Sequence, residues 1–161
     1  MARIGVTGHS NLTADSTPLV ENGIRAALTG RTRASGLVGV TCLARGADQI
    51  FARVVLDLGG VIHVVLPAAD YRERKVKPEN AAEFDELISR AARIHTMSYE
   101  RSAAAAYLAA GEHVLACVDE MIAVWDGLPS AGQGGTADVV EAARRRGLPV
   151  TVVWPDGATR T

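Results

Sequence analysis

Short apolar, β-branched runs recur along this chain at residues 3–7, 37–43, 61–66, 93–97, 121–125 and 150–154, separated by longer helical patterns. Strands joined by connections of that length run parallel, because a tight hairpin makes only antiparallel neighbours. The runs are nearly continuous in apolar character rather than alternating, as strands covered on both faces are. The expected fold is therefore α/β: a doubly wound, mostly parallel sheet in a three-layer sandwich. A closed barrel is excluded, because 161 residues fall short of the roughly 200 that eight β/α units need.

The intervening segments carry helix signals. Thr17-Pro18 reads as an N-cap followed by proline in the first turn, and Leu19, Val20, Ile24, Ala27 and Leu28 form the apolar stripe behind it. In residues 46–58 the stripe is Ile50, Phe51, Val54, Val55 and Leu58, closed by Gly59-Gly60. Residues 68–80 are charged, contain Pro78 and read as irregular, a place for a ligand-covering flap built on Tyr71 and Arg72-Glu73-Arg74. Further helices are expected over 81–92, 102–118 and 136–146, the last closed by Gly147. No repeat or linker divides the chain, which reads as one domain over 1–156 with a short polar tail at 157–161.

Charge narrows the partners. The chain has 17 Lys and Arg, 18 Asp and Glu and 4 His, a net charge of −1, which argues against a nucleic-acid-coating or membrane-adhering protein. The basic clusters Arg31-Thr32-Arg33 and Arg144-Arg145-Arg146 read as solvated loop and helix-end charges. Cys42 and Cys117 lie apart in apolar stretches, with no CxxC or Cys/His cluster to hold a metal. No signal peptide opens the sequence, and the Ala-rich run at 102–110 is too short to span a bilayer, so a cytoplasmic location with reduced thiols is expected.

An open parallel sheet binds ligands beyond the carboxyl ends of its strands, where strand order reverses. Three loops reach that rim. Thr7-Gly8-His9-Ser10-Asn11 offers close backbone approach through the glycine and polar side chains beside it. Arg45-Gly46-Ala47-Asp48 opens a helix; Arg45 can meet a phosphate or a carboxylate, and Asp48 a ligand or its own helix start. Trp125-Asp126-Gly127 and then Gly132-Gln133-Gly134-Gly135-Thr136-Ala137-Asp138 form the strongest signal, a glycine-dense turn whose amides and Thr136 hydroxyl can cradle an anion. Trp125 is a candidate to stack on a base. Neither the Walker Gly-Lys-Ser/Thr pattern nor a GxGxxG directly after the first strand is present, so ATP-driven phosphoryl transfer and NAD-linked chemistry lose rank.

Thr7-Gly8-His9, Arg45-Gly46-Ala47-Asp48 and Gly134-Gly135-Thr136, in that order on β/α units, resemble the SLOG superfamily, whose Rossmann-like domains include the LOG, DprA and YpsA-like proteins. The resemblance runs over nearly the whole chain. It implies a nucleotide or phosphoribosyl small molecule as partner, bound by Thr7, Gly8, His9, Ser10, Arg45, Gly46, Ala47, Asp48, Trp125, Asp126, Gly134, Gly135 and Thr136, and it calls for no metal or separate cofactor. LOG enzymes cleave the N-glycosidic bond of nucleoside monophosphates with a Glu of the motif Pro-Gly-Gly-x-Gly-Thr-x-x-Glu. Here Gly135-Thr136 matches, but Val139 stands at the Glu position and the nearest carboxylate is Asp138. The resemblance thus implies nucleotide binding more directly than hydrolysis. For an N-glycosidase or ribosyl transferase, the candidate catalytic residues are Asp138 and Glu112, the latter with Asp126 and Tyr107 in the manner of the Glu, Asp and Tyr of nucleoside deoxyribosyltransferases. A third class is a non-catalytic module binding protein or single-stranded DNA, against which the near-neutral charge speaks. LOG-like domains pair through helices, which implies a homodimer.

Overall fold

Six strands form one sheet in the order β4-β3-β2-β1-β5-β6, and every neighbouring pair is parallel. They are β1 (Ala2–Gly8), β2 (Leu37–Thr41), β3 (Val61–Leu66), β4 (Arg93–Thr96), β5 (Glu120–Val124) and β6 (Val150–Val152). The helices are α1 (Ser16–Thr29), α2 (Ala47–Asp57), α3 (Tyr71–Lys75), α4 (Pro78–Ser89), α5 (Ala104–Cys117) and α6 (Thr136–Arg145). This computed structural model describes residues 2–29, 36–130 and 135–161. The chain steps outward from β1 to β4, then returns through α5 to place β5 on the other side of β1. That reversal between β1 and β5 opens a crevice at the carboxyl rim.

The centre of the sheet is buried, β2 throughout and β5 nearly so, whereas the edge strand β4 is exposed along its length, against the expectation of strands covered on both faces. One core joins Ile4, Val6, Ile62 and Ile122 of the strands to Val20, Ile24 and Leu28 of α1, Phe51 and Val55 of α2, and Phe84 and Leu87 of α4. The opposite core joins Val38, Val40 and Met121 to Ala110, Val114 and Leu115 of α5 and Ala143 of α6. In α1 the buried Ser16, Val20, Ile24 and Leu28 recur every fourth residue, so one stripe faces the sheet.

Three expectations need correction. Residues 68–80 are largely helical, because Pro78 starts α4 rather than interrupting a loop: a first-turn residue needs no N–H donor, and Lys77 before it is extended (φ −73°, ψ 152°). Nor is this segment a loose flap. Tyr71 is buried against Phe84, Arg72 makes two hydrogen bonds to Asp85 of α4 at 2.8 and 2.9 Å, and Asp70 accepts both the amide and the hydroxyl of Ser102. Finally, β2 ends at Thr41, because Leu43 takes a left-handed φ of 56° that a strand cannot accommodate. No described helix is long and apolar enough to cross a membrane.

Candidate nucleotide-binding cleft

β1 delivers Gly8 and His9 to the rim, where space is tight. A Cβ at Gly8 would lie 2.5 Å from Ala47 Cβ and 2.8 Å from Val124 Cβ, so glycine lets β1 end flush against both α2 and β5. The chain then passes over the start of α2, where the Ala47 amide donates to the His9 carbonyl at 3.2 Å. Gly46 (φ 86°) permits this crossing, since a Cβ there would meet His9 O at 2.7 Å. The expected anion site at the α2 amides is therefore partly used by the chain itself, and Gly46 and Ala47 shape the rim from below.

Asp48 likewise turns inward. Its buried carboxyl accepts hydrogen bonds from the backbone at Ala44 and Cys42 and from the Thr41 side chain, yet burial outweighs them and pushes it up to about 7. The Leu43 amide bonds Thr41 Oγ1 at 3.0 Å, and Gln49 donates to the Leu43 carbonyl while pairing reciprocally with the Asn80 amide. These bonds hold residues 42–46 in a fixed shape, with Arg45 exposed on the outside.

Around His9 lies the polar centre of the cleft. His9 Nε2 lies 3.2 Å from the Asp126 amide nitrogen and 3.3 Å from Asp126 Oδ1, and Nδ1 lies 3.5 Å from Thr136 Oγ1. Burial first, then the Arg160 charge, lower the His9 pKa, which keeps it neutral at pH 7. The ring also packs edge-on to Trp154, with centroids 5.6 Å apart. Asp126 accepts the Leu128 amide at 3.0 Å and pairs with Arg160 at 2.7 Å. Burial opposes its ionisation, but the Leu128 amide, Arg160 and His9 together hold the carboxyl below its ordinary range.

Thr7, Gly8, His9 and Ser10 of the first loop and Gly135 and Thr136 of the last line one cleft of about 540 Å³, within the usual size range for small-molecule sites. No side chain caps α6, whose first turn starts at the cleft. Ser130 Oγ is buried in its wall without a hydrogen-bond partner among the described residues. No carboxylate side chain is among the described residues lining it, although the chain has 18 Asp and Glu. Gly134 and the cluster Arg31-Thr32-Arg33 lie outside the described residues.

The remaining candidates are placed elsewhere. Glu112 pairs with Arg146, at the far end of α6 from the cleft, at 2.6 Å. Asp138 is exposed on α6 and does not line the cleft. Tyr107 packs edge-on against Tyr71, so Glu112, Asp126 and Tyr107 do not form one constellation. The Trp125 indole donates to Leu128 O at 2.9 Å, and Trp125 is not among the described residues lining the cleft. Arg160 was not among the sequence candidates: it lies in the terminal polar stretch, 34 residues from the Asp126 it meets. There the Leu12–Arg160 bridge and the bonds of Thr159 to Thr13 and Ser16 bind the chain end beside the first loop.

No protein-family model matches the chain, and no curated protein matches it either. Solved structures do. DNA processing protein A (DprA) from Streptococcus pneumoniae matches with a TM-score of 0.69 at 17% identity over 94% of this chain and 50% of its own. DprA from Helicobacter pylori, described for its single-stranded DNA binding mode, matches at 0.67 and 21% over 94% of this chain and 64% of its own. The molybdenum cofactor carrier protein of Chlamydomonas reinhardtii matches at 0.54 and 15%, over 94% of this chain and 74% of its own. The chain thus spans between half and two thirds of the DprA proteins. Likeness at these identities is one of fold, and the expected α/β architecture with a parallel sheet is met. Single-stranded DNA, the partner against which the net charge of this chain speaks, is what the H. pylori protein is described as binding.

Proposed function

We propose that this protein binds a nucleotide or nucleotide-derived, phosphoribosyl-type ligand in the cleft between β1 and β5, as a sensor or carrier rather than a hydrolase. The observation that carries the reading is the electrostatic asymmetry of the rim. In a chain of net charge −1, the lining has Arg160, whose charge is shared with Asp126 behind it, the Thr136 hydroxyl and the start of α6, and no acid among its described residues. A phosphate there meets helix-terminal amides and the Thr136 hydroxyl, both suited to an anion. The unpartnered Ser130 hydroxyl gives the ligand a further hydrogen-bonding group, and leaving it unpaired costs about 1–3 kcal/mol.

Binding without hydrolysis follows from the carboxylates. Val139 packs against the second core, Glu112 is engaged with Arg146, and Asp126 is engaged with Arg160 and the Leu128 amide. N-glycosidic cleavage needs a carboxyl group beside the departing base, and no described one faces the cleft.

Thermal unfolding with AMP, ADP-ribose, cyclic AMP and ribose 5-phosphate tests the proposal. A ligand at one hundred times its Kd stabilises by about 2.7 kcal/mol, raising Tm by roughly 5–10 °C in a chain of this size. No rise with any of the four at millimolar concentration overturns the reading, and release of adenine from AMP overturns its non-catalytic part.

A further inference from the structure

A second cavity, of about 260 Å³, adjoins the cleft and shares Ser10 and Ala44 with it. It lies between residues 42–46 and the junction of α3 with α4, and its lining includes Arg45, Lys75 and Lys77. Lys75 and Lys77 are the only lysines in the chain. We infer that the ligand carries a second anionic group, separated from the first, and that Arg45, Lys75 and Lys77 receive it here. This deepens the proposed function and rests on it: the ligand class becomes a nucleotide with two separated phosphates, a nucleoside 3′,5′-bisphosphate or a dinucleotide.

Three observations support it. The first is pairing. Arg45, Lys75 and Lys77 form no ion pair with a described residue, a property they share with Arg3, Arg93, Arg101 and Arg144, but these three line one cavity. The second is convergence. Three unpaired cations face one concavity whose described lining holds no acid, and such a surface concentrates anions. The third is preorganisation. Arg45 projects from the loop fixed by Asp48, Thr41, Gln49 and Asn80, and the Lys75 ammonium stands 6.0 Å from the Tyr107 ring centroid, within cation–π range. A fixed backbone beneath Arg45 lowers the ordering cost to that of the side chains themselves. A lone monophosphate held by Thr136 and the start of α6 leaves this subsite unused, while a second phosphate carried past Ser10 engages it.

Calorimetric titration of adenosine 3′,5′-bisphosphate and of AMP into the full chain and into a K75M/K77M variant tests this. Both lysines are exposed, so the variant leaves the core untouched, which its melting curve verifies. The expected result is binding of the bisphosphate about tenfold or more tighter than AMP, with that advantage lost in K75M/K77M and AMP affinity unchanged. Equal affinities of the two ligands for the unaltered chain, or an advantage that persists in the variant, overturn the inference while leaving the proposed function standing. Binding of neither ligand overturns the inference, and the unfolding test with the four ligands above then decides the proposed function.

Discussion

Adding one methyl group to either of two glycines should move the stability of this protein in opposite directions. At Gly8 the new Cβ would stand 2.5 Å from Ala47 Cβ, 2.8 Å from Val124 Cβ and 3.0 Å from the Val124 carbonyl. The first two distances are far inside van der Waals contact, and two neighbours are backbone or branch-point atoms that cannot swing aside. Overpacking of this kind costs about 1–3 kcal/mol, which in a chain of 161 residues lowers Tm by roughly 2–12 °C. Because Ala47 and Val124 flank the cleft, Gly8→Ala should also weaken ligand binding. At Gly111, within α5, a Cβ meets nothing within 4 Å. There the only change is lost freedom of the unfolded chain and better helix propensity, so Gly111→Ala should raise Tm by roughly 1–4 °C, from about 0.5–1 kcal/mol. Differential scanning calorimetry of both variants decides it. Equal shifts, or a Gly8→Ala variant as stable as the parent, would refute the claim that β1 ends jammed between α2 and β5.

Three other outcomes follow. Asp48 is raised from 3.8 to about 7 by burial, so in the folded chain it holds its proton where the unfolded chain has lost it; stability should therefore fall by about 4 kcal/mol from pH 4 to pH 7 and level off above, a slope that Asp48→Asn flattens in urea unfolding. Removing the charge in Arg160→Ala takes away one of the influences that depress His9, so the His9 ring should titrate at higher pH by NMR, and an unmoved titration would contradict the His9–Asp126–Arg160 arrangement. Glu112→Gln breaks only an exposed pair with Arg146 and should leave ligand affinity unchanged, whereas a tenfold loss would return Glu112 to the site.

What the sequence disclosed and what it hid divide along physical lines. The strands were legible because Val, Ile and Leu cluster in runs too short for helices, and α1 and α2 because their apolar residues repeat at helical spacing. The rim loops were legible because glycines fall where strands must end. Residues 68–80 misled because proline breaks a helix interior but suits its first turn, and spacing alone does not say which applies. The α2 loop misled for another reason. Gly46, Ala47 and Asp48 are residue types an anion site uses, but the same amides and carboxyl can serve the chain, and only the crossing of His9 over Ala47 shows which. Arg160 was hidden because its meaning lies in a contact with Asp126 that no local pattern encodes. Glu112 stood out beside a glycine, yet helical geometry turns it toward Arg146.

The central claim is that the first turn of α6 and the loop after β1 hold an anion together. Titration of the isotopically labelled protein with inorganic phosphate, followed by amide NMR, addresses it directly. The account predicts saturable shifts concentrated at Ser10, Gly135, Thr136 and Ala137, the residues that border the cleft. Shifts confined to other surfaces, or none at these amides, would contradict it.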